Sequence, residues 1–342
     1  MGKRLVTEED LYKMKFTGSP VLSPDGQSVV YVVTEVSEDK NGYYSSLYIN
    51  DLEGASQRLT HPYSDEKLIR DTMPKWSPNG ETIAFLSNRS EKNQVWVLPM
   101  NGGEARQLTH SEEGVSSFNW APDGKRIVFT SKEKVEDKEE NEDVTVVTRL
   151  RYKGNGEGFR EGYSQVWLVD LETEEATKLT SGSYNHHSPS FAPSGNAIIY
   201  LAAKQENREL ENLDSLYLYN LKNRTEKALY EGKGPVTAPT ISPDGKLVAF
   251  AGHEKGEVSS ANLNIWTIPI EGGQAQNLSA GFDRPVGNYV GVDATYDQSA
   301  HLIKWSGDGK SILFQATLGG DCGVIRISPD GETEETAVFE NS

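Results

Sequence analysis

The sequence predicts an all-β fold, a β-propeller of four-stranded blades preceded by a short amino-terminal helix. A turn and an apolar triplet recur six times, a second apolar segment trails each copy, and a short fourth segment closes most units. The turns are Ser23-Pro24-Asp25-Gly26, Ser77-Pro78-Asn79-Gly80, Ala121-Pro122-Asp123-Gly124, Ala192-Pro193-Ser194-Gly195, Ser242-Pro243-Asp244-Gly245 and Ser306-Gly307-Asp308-Gly309. Proline presets φ for the second turn position, Asp or Asn bonds its own backbone, and Gly accepts positive φ without steric cost.

Each turn follows an apolar residue (Leu22, Trp76, Trp120, Phe191, Ile241, Trp305) and leads into a triplet such as Val29-Val30-Tyr31, Ile127-Val128-Phe129 or Val248-Ala249-Phe250. That arrangement reads as two adjacent antiparallel strands. Leu47-Tyr48-Ile49, Val95-Trp96-Val97, Val166-Trp167-Leu168, Leu216-Tyr217-Leu218, Ile265-Trp266-Thr267 and Val324-Ile325-Arg326 supply a third strand. Arg58-Leu59-Thr60, Gln107-Leu108-Thr109 and Lys178-Leu179-Thr180 supply a fourth, with weaker copies at Ala228-Leu229-Tyr230 and Asn277-Leu278-Ser279. Four-stranded units repeated at a long period are blades that bury their faces only by stacking on neighbours. The third turn residues stand at 25, 79, 123, 194, 244 and 308, so loops absorb an uneven period.

A capping Thr7 followed by acidic residues and apolar residues at helical spacing predicts a short helix, within a lead-in over 1–18. The propeller is expected over 19–342, with repeats from about 19, 71, 115, 184, 236 and 301. A chain of 342 residues accommodates one large β domain. No apolar run is long enough to cross a bilayer, so no membrane partner is expected. The opening residues lack the apolar core of a secretory signal, and one cysteine, Cys322, fits a reducing compartment, so the expected location is cytoplasmic. A formal charge of −17 argues against nucleic acid as a partner. The acidic run 136–143 reads as a solvated loop.

Because strands alternate in direction, second-to-third and blade-to-blade connections share one end of the blades. The long insertions, Lys132 to Ser164, Lys204 to Asp214 and Ala280 to Ala300, all fall there. Long loops on a rigid scaffold are where binding resides, so this rim is the candidate working surface.

Other chemistry is weaker. Adjacent His186 and His187 on a strand point to opposite faces, and no ligand cluster has metal spacing, so no metal and no cofactor is assigned. All six tryptophans fall in two repeat columns, 76, 120 and 305 with 96, 167 and 266, which makes them blade packing. Asn88-Arg89-Ser90, Asn223-Arg224-Thr225 and Asn277-Leu278-Ser279 are chance matches to a glycosylation pattern, and Gly154 to Gly158 reads as a hairpin rather than a phosphate loop.

Three stretches, Glu8-Glu9-Asp10-Leu11-Tyr12 leading into Ser23-Pro24-Asp25-Gly26, Arg149 to Phe159, and Asn277 to Arg284, resemble the amino-terminal half of the prolyl oligopeptidase (S9) family, in its acylaminoacyl-peptidase branch. The TolB propeller uses a similar turn. The resemblance implies a propeller that caps an α/β-hydrolase domain and admits short peptides, with Ser, Asp and His of the hydrolase domain as catalysts. No Gly-x-Ser-x-Gly elbow occurs here, so this chain is expected to hold no catalytic residue. Its expected partners are its own hydrolase domain and short peptides.

The family propeller is seven-bladed while six repeats are counted, which leaves an exposed blade face and the expectation of a homo-oligomer. A stand-alone TolB-like interaction scaffold is the other reading. Within the resembling stretches, Arg149, Arg151, Tyr152, Phe159, Asp283 and Arg284 are the candidate substrate-gating or interdomain residues. Alternation puts Arg149 and Arg151 on one face, either toward a peptide carboxylate or acyl carbonyl or paired with the neighbouring acidic run.

Overall fold

The computed structural model describes residues 4–54, 56–61, 67–134, 147, 150, 152–154, 158–159, 162–258, 260–290 and 303–339. Thr7 precedes a 3-10 helix, Glu8–Lys13, and its backbone N–H donates to Asp10 Oδ2 at 3.0 Å. The predicted short helix is therefore a 3-10 turn, because its six residues are fewer than an isolated α-helix needs.

Six four-stranded antiparallel blades follow. Blade one is β1 (Lys15–Leu22), β2 (Val29–Ser37), β3 (Gly42–Asn50) and β4 (Ser56–Arg58). Blade two is β5 (Asp71–Trp76), β6 (Thr82–Ser87), β7 (Gln94–Pro99) and β8 (Arg106–Gln107). Blade three is β9 (Val115–Trp120), β10 (Arg126–Lys132), β13 (Ser164–Asp170) and β14 (Ala176–Lys178), and the hairpin β11 (Lys153–Gly154) and β12 (Gly158–Phe159) lies in its insertion. Blade four is β15 (His186–Phe191), β16 (Ala197–Ala202), β17 (Ser215–Asn220) and β18 (Thr225–Tyr230). Blade five is β19 (Val236–Ile241), β20 (Leu247–Gly252), β21 (Asn264–Pro269) and β22 (Gln276–Asn277). Blade six is β23 (Ile303–Trp305), β24 (Ile312–Leu318), β25 (Asp321–Ile327) and β26 (Thr333–Phe339).

β1 begins at Lys15, so the first strand takes in residues that the sequence reading left in the lead-in. Of the two fourth segments that are weaker in sequence, one, β18, is longer than β4, β8 and β14, and the other, β22, is two residues long.

The chain divides into two compact units, one with blades one and two and the other with blades three to six. In the first, Val30, Val32 and Leu47 pack with Ile83, Phe85 and Leu98. In the second, Val128 and Val166 pack with Ile198 and Tyr200, Ile199 and Leu216 with Val248 and Phe250, and Ala249 and Ile265 with Ile312 and Phe314. Fully burying one such side chain contributes about 1.5–3 kcal/mol, so the faces between neighbouring blades hold the core.

Three local devices recur. In the turn, Ser23 Oγ donates to Asp25 Oδ1 at 2.5 Å, the same carboxylate accepts Gln27 N–H, and Gly26 takes φ +73°. Ser77 with Asn79, Ser242 with Asp244 and Ser306 with Asp308 repeat the bond. In the middle of blades one to five, the aromatic that ends the triplet faces an aromatic of the third strand. Tyr31 stacks on Tyr48, Phe129 on Trp167, Tyr200 on Tyr217 and Phe250 on Trp266, with centroids 5.6–6.4 Å apart.

The third device explains the Leu-Thr motif of the fourth segment. Thr60, Thr109 and Thr180 each accept, on the hydroxyl oxygen, an N–H of the third strand, from Leu47, Val95 and Val166 at 2.8–2.9 Å. Ser279 does the same for Ile265. Val166 is fully buried, so without the hydroxyl its N–H has no solvent to turn to.

The first strands carry a feature not read from the sequence. Ser19, Met73, Ser188 and Ala238, each directly before a proline, take φ of +49° to +53°, and the pairing register shifts there in all four blades. Proline brings no N–H to the ladder, and a bulge accommodates it.

Replacing Thr180 by Val should lower stability by about 1–3 kcal/mol, because it orphans the buried Val166 N–H, whereas Thr180→Ser should restore most of it. Denaturant titration checks this through a lower midpoint at unchanged m.

Candidate functional site

Blades three and four carry long second-to-third connections at the same end. The first leaves β10 and re-enters β13 across the Lys132 and Ser164 pair. Its stem is tied down, since Glu133 N–H donates to the Tyr163 carbonyl at 3.1 Å and Lys178 Nζ pairs with the Glu133 carboxylate. The second runs from β16 to β17, and between these stems opens a cleft of about 220 Å³.

Tyr163, Tyr184 and Asn185 line the cleft from the blade-three side and the approach to β15, Arg208, Asn212 and Asp214 from the second loop, and His187 from β15. His187 Nε2 lies 3.0 Å from Asp214 Oδ1, and its Nδ1 lies 3.2 Å from Ser188 Oγ. Asp214 is held by its backbone. Its N–H donates to the Gly234 carbonyl at 3.1 Å, and its own carbonyl lies so near Gly232 that a Cβ there would come within 1.9 Å. Only glycine allows that approach, so Gly232 fixes where the carboxylate stands.

Beneath the second loop, Lys204 anchors the chain as it leaves β16. Its ammonium sits over the rings of Tyr217, Tyr184 and Tyr200 at 4.1, 5.3 and 5.6 Å and pairs with Glu226 Oε1 at 2.5 Å. Cation–π contacts are strengthened by desolvation, and this Lys side chain is only 18% exposed. The Tyr200 hydroxyl donates to the other Glu226 oxygen. Burial alone would raise the Glu226 carboxyl, but bonds from Lys204 and Tyr200 outweigh it and hold it below its ordinary value. Burial, then the Glu226 bond, pushes the Tyr200 phenol upward, and burial pushes Tyr217 up to about 12.

His186 packs between Tyr184 and Tyr200, centroids 5.3 and 5.4 Å away, fully buried on the opposite face from His187. Nδ1 lies 3.2 Å from the Ser164 carbonyl, where only its N–H form bonds, while Nε2 has no partner. Burial first, and the Lys204 charge second, lower its pKa to about 4. Among the described residues no group of three His, Cys, Asp or Glu side chains comes together as a metal site.

Of the six residues proposed from sequence, Tyr152, Asp283 and Arg284 do not line this cleft. Arg149 and Arg151 lie outside the described residues. Tyr152 is exposed, and Phe159 pairs with Lys153 in the β11–β12 hairpin. Asp283 and Arg284 stand in the connection from blade five to blade six, where Asp283 Oδ1 lies 3.5 Å from Asn262 Nδ2 and Arg284 lies over the Phe282 ring at 5.9 Å. Arg208, His187 and Asp214 were missed as a set. The available signal was the length of the Lys204 to Asp214 insertion together with Gly232 and Gly234 further along.

The TolB beta propeller domain model (PD40) matches residues 7–153. The uncharacterized peptidase YuxL of Bacillus subtilis is 30% identical over 340 residues, covering 96% of this chain and 51% of that protein. This chain is a β-propeller related to the propeller domains of S9-type peptidases. The fold matches an acylaminoacyl peptidase solved with a Z-Gly-Gly-Phe chloromethyl ketone, with TM-score 0.73 at 20% identity, over 97% of this chain and 47% of that one. It also matches the propeller domain of the Trilobed protease of Pyrococcus furiosus, with TM-score 0.63 at 18% identity, over 95% of this chain and 84% of that one. The chain spans about half the length of the curated peptidase relatives it matches. Among the described residues no helix is long and apolar enough to cross a membrane.

The buried His186 yields a pH dependence whose sign is set. Its pKa is near 4 folded and about 6.5 unfolded. Between those values the unfolded chain binds a proton that the folded chain does not, so stability is lost as pH falls from about 6.5 to 4, on the order of 3 kcal/mol. In His186→Phe the loss over that window should shrink, read from denaturation midpoints at pH 7, 5.5 and 4.5.

Proposed function

We propose that this chain is the non-catalytic propeller of an acylaminoacyl-peptidase-like serine peptidase. There it admits short peptides and docks an α/β-hydrolase domain through the loop-bearing end of its blades. The observation that carries this reading is identity of 30% with a peptidase over 96% of this chain, with about half of that protein left to hold the chemistry. The position of the insertions supports it, since the long second-to-third loops of blades three and four leave the scaffold at one end and frame a polar cleft. Arg149, Arg151, Tyr152, Phe159, Asp283 and Arg284, all in or beside the insertions at that end, belong to the same surface in this reading. The compartment is cytoplasmic, in keeping with a single cysteine that is only partly exposed.

Ser188, His187 and Asp214 follow the hydrogen-bond order hydroxyl, imidazole, carboxylate. That order alone is not a nucleophilic site. Ser188 sits at a bulge of a strand and not on the strand-to-helix elbow that exposes a hydrolase serine. A match of the TolB propeller model to residues 7–153 favours a second reading, a scaffold that binds a protein partner without any hydrolase domain.

Purified residues 1–342 should release no chromophore from N-acyl-aminoacyl anilides. Joined in one polypeptide to a hydrolase domain of the family, the chain should confer a preference for short peptides over folded protein. Shortening the 133–163 loop should relax that preference. Hydrolysis by residues 1–342 alone, abolished by a fluorophosphonate and by Ser188→Ala, would overturn the non-catalytic assignment.

A further inference from the structure

We propose that the cleft between the loops of blades three and four binds the carboxylate of a peptide, with Arg208 as its cationic anchor. This deepens the reading of the loop-bearing end as a peptide-facing surface and rests on it.

The first observation is the state of Arg208. Its guanidinium donates to two backbone carbonyls, Nη1 to Gln205 at 3.1 Å and Nη2 to Ser183 at 3.4 Å, and meets no carboxylate at ion-pair distance among the described residues. The chain holds 51 Asp and Glu against 34 Lys and Arg, yet none of the described acids pairs with this part-buried arginine. The two carbonyls hold the planar fork in place while leaving other N–H donors unspent. A cation steadied by neutral acceptors in a cleft is ready for an anion from outside, and Arg–carboxylate pairing is bidentate and charge-assisted.

The second observation is the polarity of the wall beside it. Asn185 Oδ1 accepts the Ser164 N–H at 2.9 Å, which leaves its NH₂ group as the donor that remains. Two carboxylates line the cleft with the anchor, Glu209 and Asp214, and neither is free: Asp214 Oδ1 is engaged by His187 at 3.0 Å with its side chain 19% exposed, and Glu209 has a partner of its own.

The third observation is size. A volume of about 220 Å³ lies below the roughly 300–1,000 Å³ of pockets that enclose a drug-sized ligand. The cleft therefore takes the end of a peptide or one acidic side chain, not a folded segment. A C-terminal carboxylate and an Asp or Glu side chain offer the same chemistry, and the test separates them.

Calorimetric titration of residues 1–342 would use three probes: acetyl-Ala-Ala-Ala with a free carboxylate, the same peptide as its amide, and acetyl-Ala-Asp-Ala amide. At least one acidic probe should bind about ten- to a hundred-fold more tightly than the neutral amide, the range expected for a charge-assisted bond. The tighter of the two acids identifies the source. Arg208→Gln should erase the difference, and Arg208→Lys should keep part of it, since charge remains while the fork is lost. Asn185→Asp retains an acceptor for Ser164 and adds a like charge, so it should weaken the acidic probes and spare the amide. Equal binding of acids and amide, no binding of any probe, or a preference that survives Arg208→Gln would overturn the proposal. Each of those results leaves the peptidase-propeller reading to be decided by the hydrolase-domain assay.

Discussion

A strand pair buried on both faces needs partners above and below, and in five of the six blades the second and third strands meet that demand with an aromatic pair at their centre. The ring that closes each apolar triplet lies opposite a ring or a large apolar side chain on the third strand, as in Phe85 with Trp96, Phe250 with Trp266 and Phe314 with Ile325. Stacked aromatic pairs add about 0.5–1.5 kcal/mol beyond their burial. The outer parts of the blade then have more freedom. First strands bulge at a proline, and fourth strands shrink to two or three residues in four blades.

Blade four shows what happens where the repeat is broken. Tyr230 stands in place of the threonine found there in other blades, and beside it Ser215 and Gln205 are joined at 2.6 Å and both bonded to Gly232. Gln205 belongs to the inserted loop. The loop is thus tied into the blade's closure, and Lys204 beside it fills a tyrosine cluster instead of meeting solvent. A loop held this way presents Arg208 and Asp214 in set positions, which is the preorganisation a binding surface requires. In the first unit Arg89 plays a related role, pairing with buried Asp71 at 2.6 Å and lying over Phe85 and Trp96.

The blades were legible because their signals are local. Asp25, Gly26 and the triplet after them act within a few residues, so the turn, the two strands and the direction of the chain follow from neighbours in sequence. The tryptophan columns were legible for the same reason, and their indoles do serve packing. Trp76 Nε1 reaches the Val21 carbonyl of blade one at 3.2 Å, and Trp305 Nε1 the Thr240 carbonyl of blade five at 3.3 Å. The bulges at Ser19, Met73, Ser188 and Ala238 had an equally local signal, a proline four residues before the turn proline. That signal passed unread beside the stronger turn motif.

The candidate site was legible only as an end of the molecule. Insertion length pointed to the loops between the second and third strands, but not to the side chains that meet there. His187 and Asp214 are 27 residues apart, and Asn185 and Ser164 are 21 apart. The Asn185 and Ser164 pair depends on the packing of blade three against blade four, and the His187 and Asp214 pair on the loop within blade four and on glycines such as Gly232 that let two backbones approach. Repeat spacing and turn chemistry, which are properties of adjacent residues, determined the strands, their order and the end at which the loops emerge. That Arg208 meets no acid among the described residues, that His186 is buried and that His187 is presented to the cleft were decided by tertiary structure, because charge pairing and burial depend on distance in space.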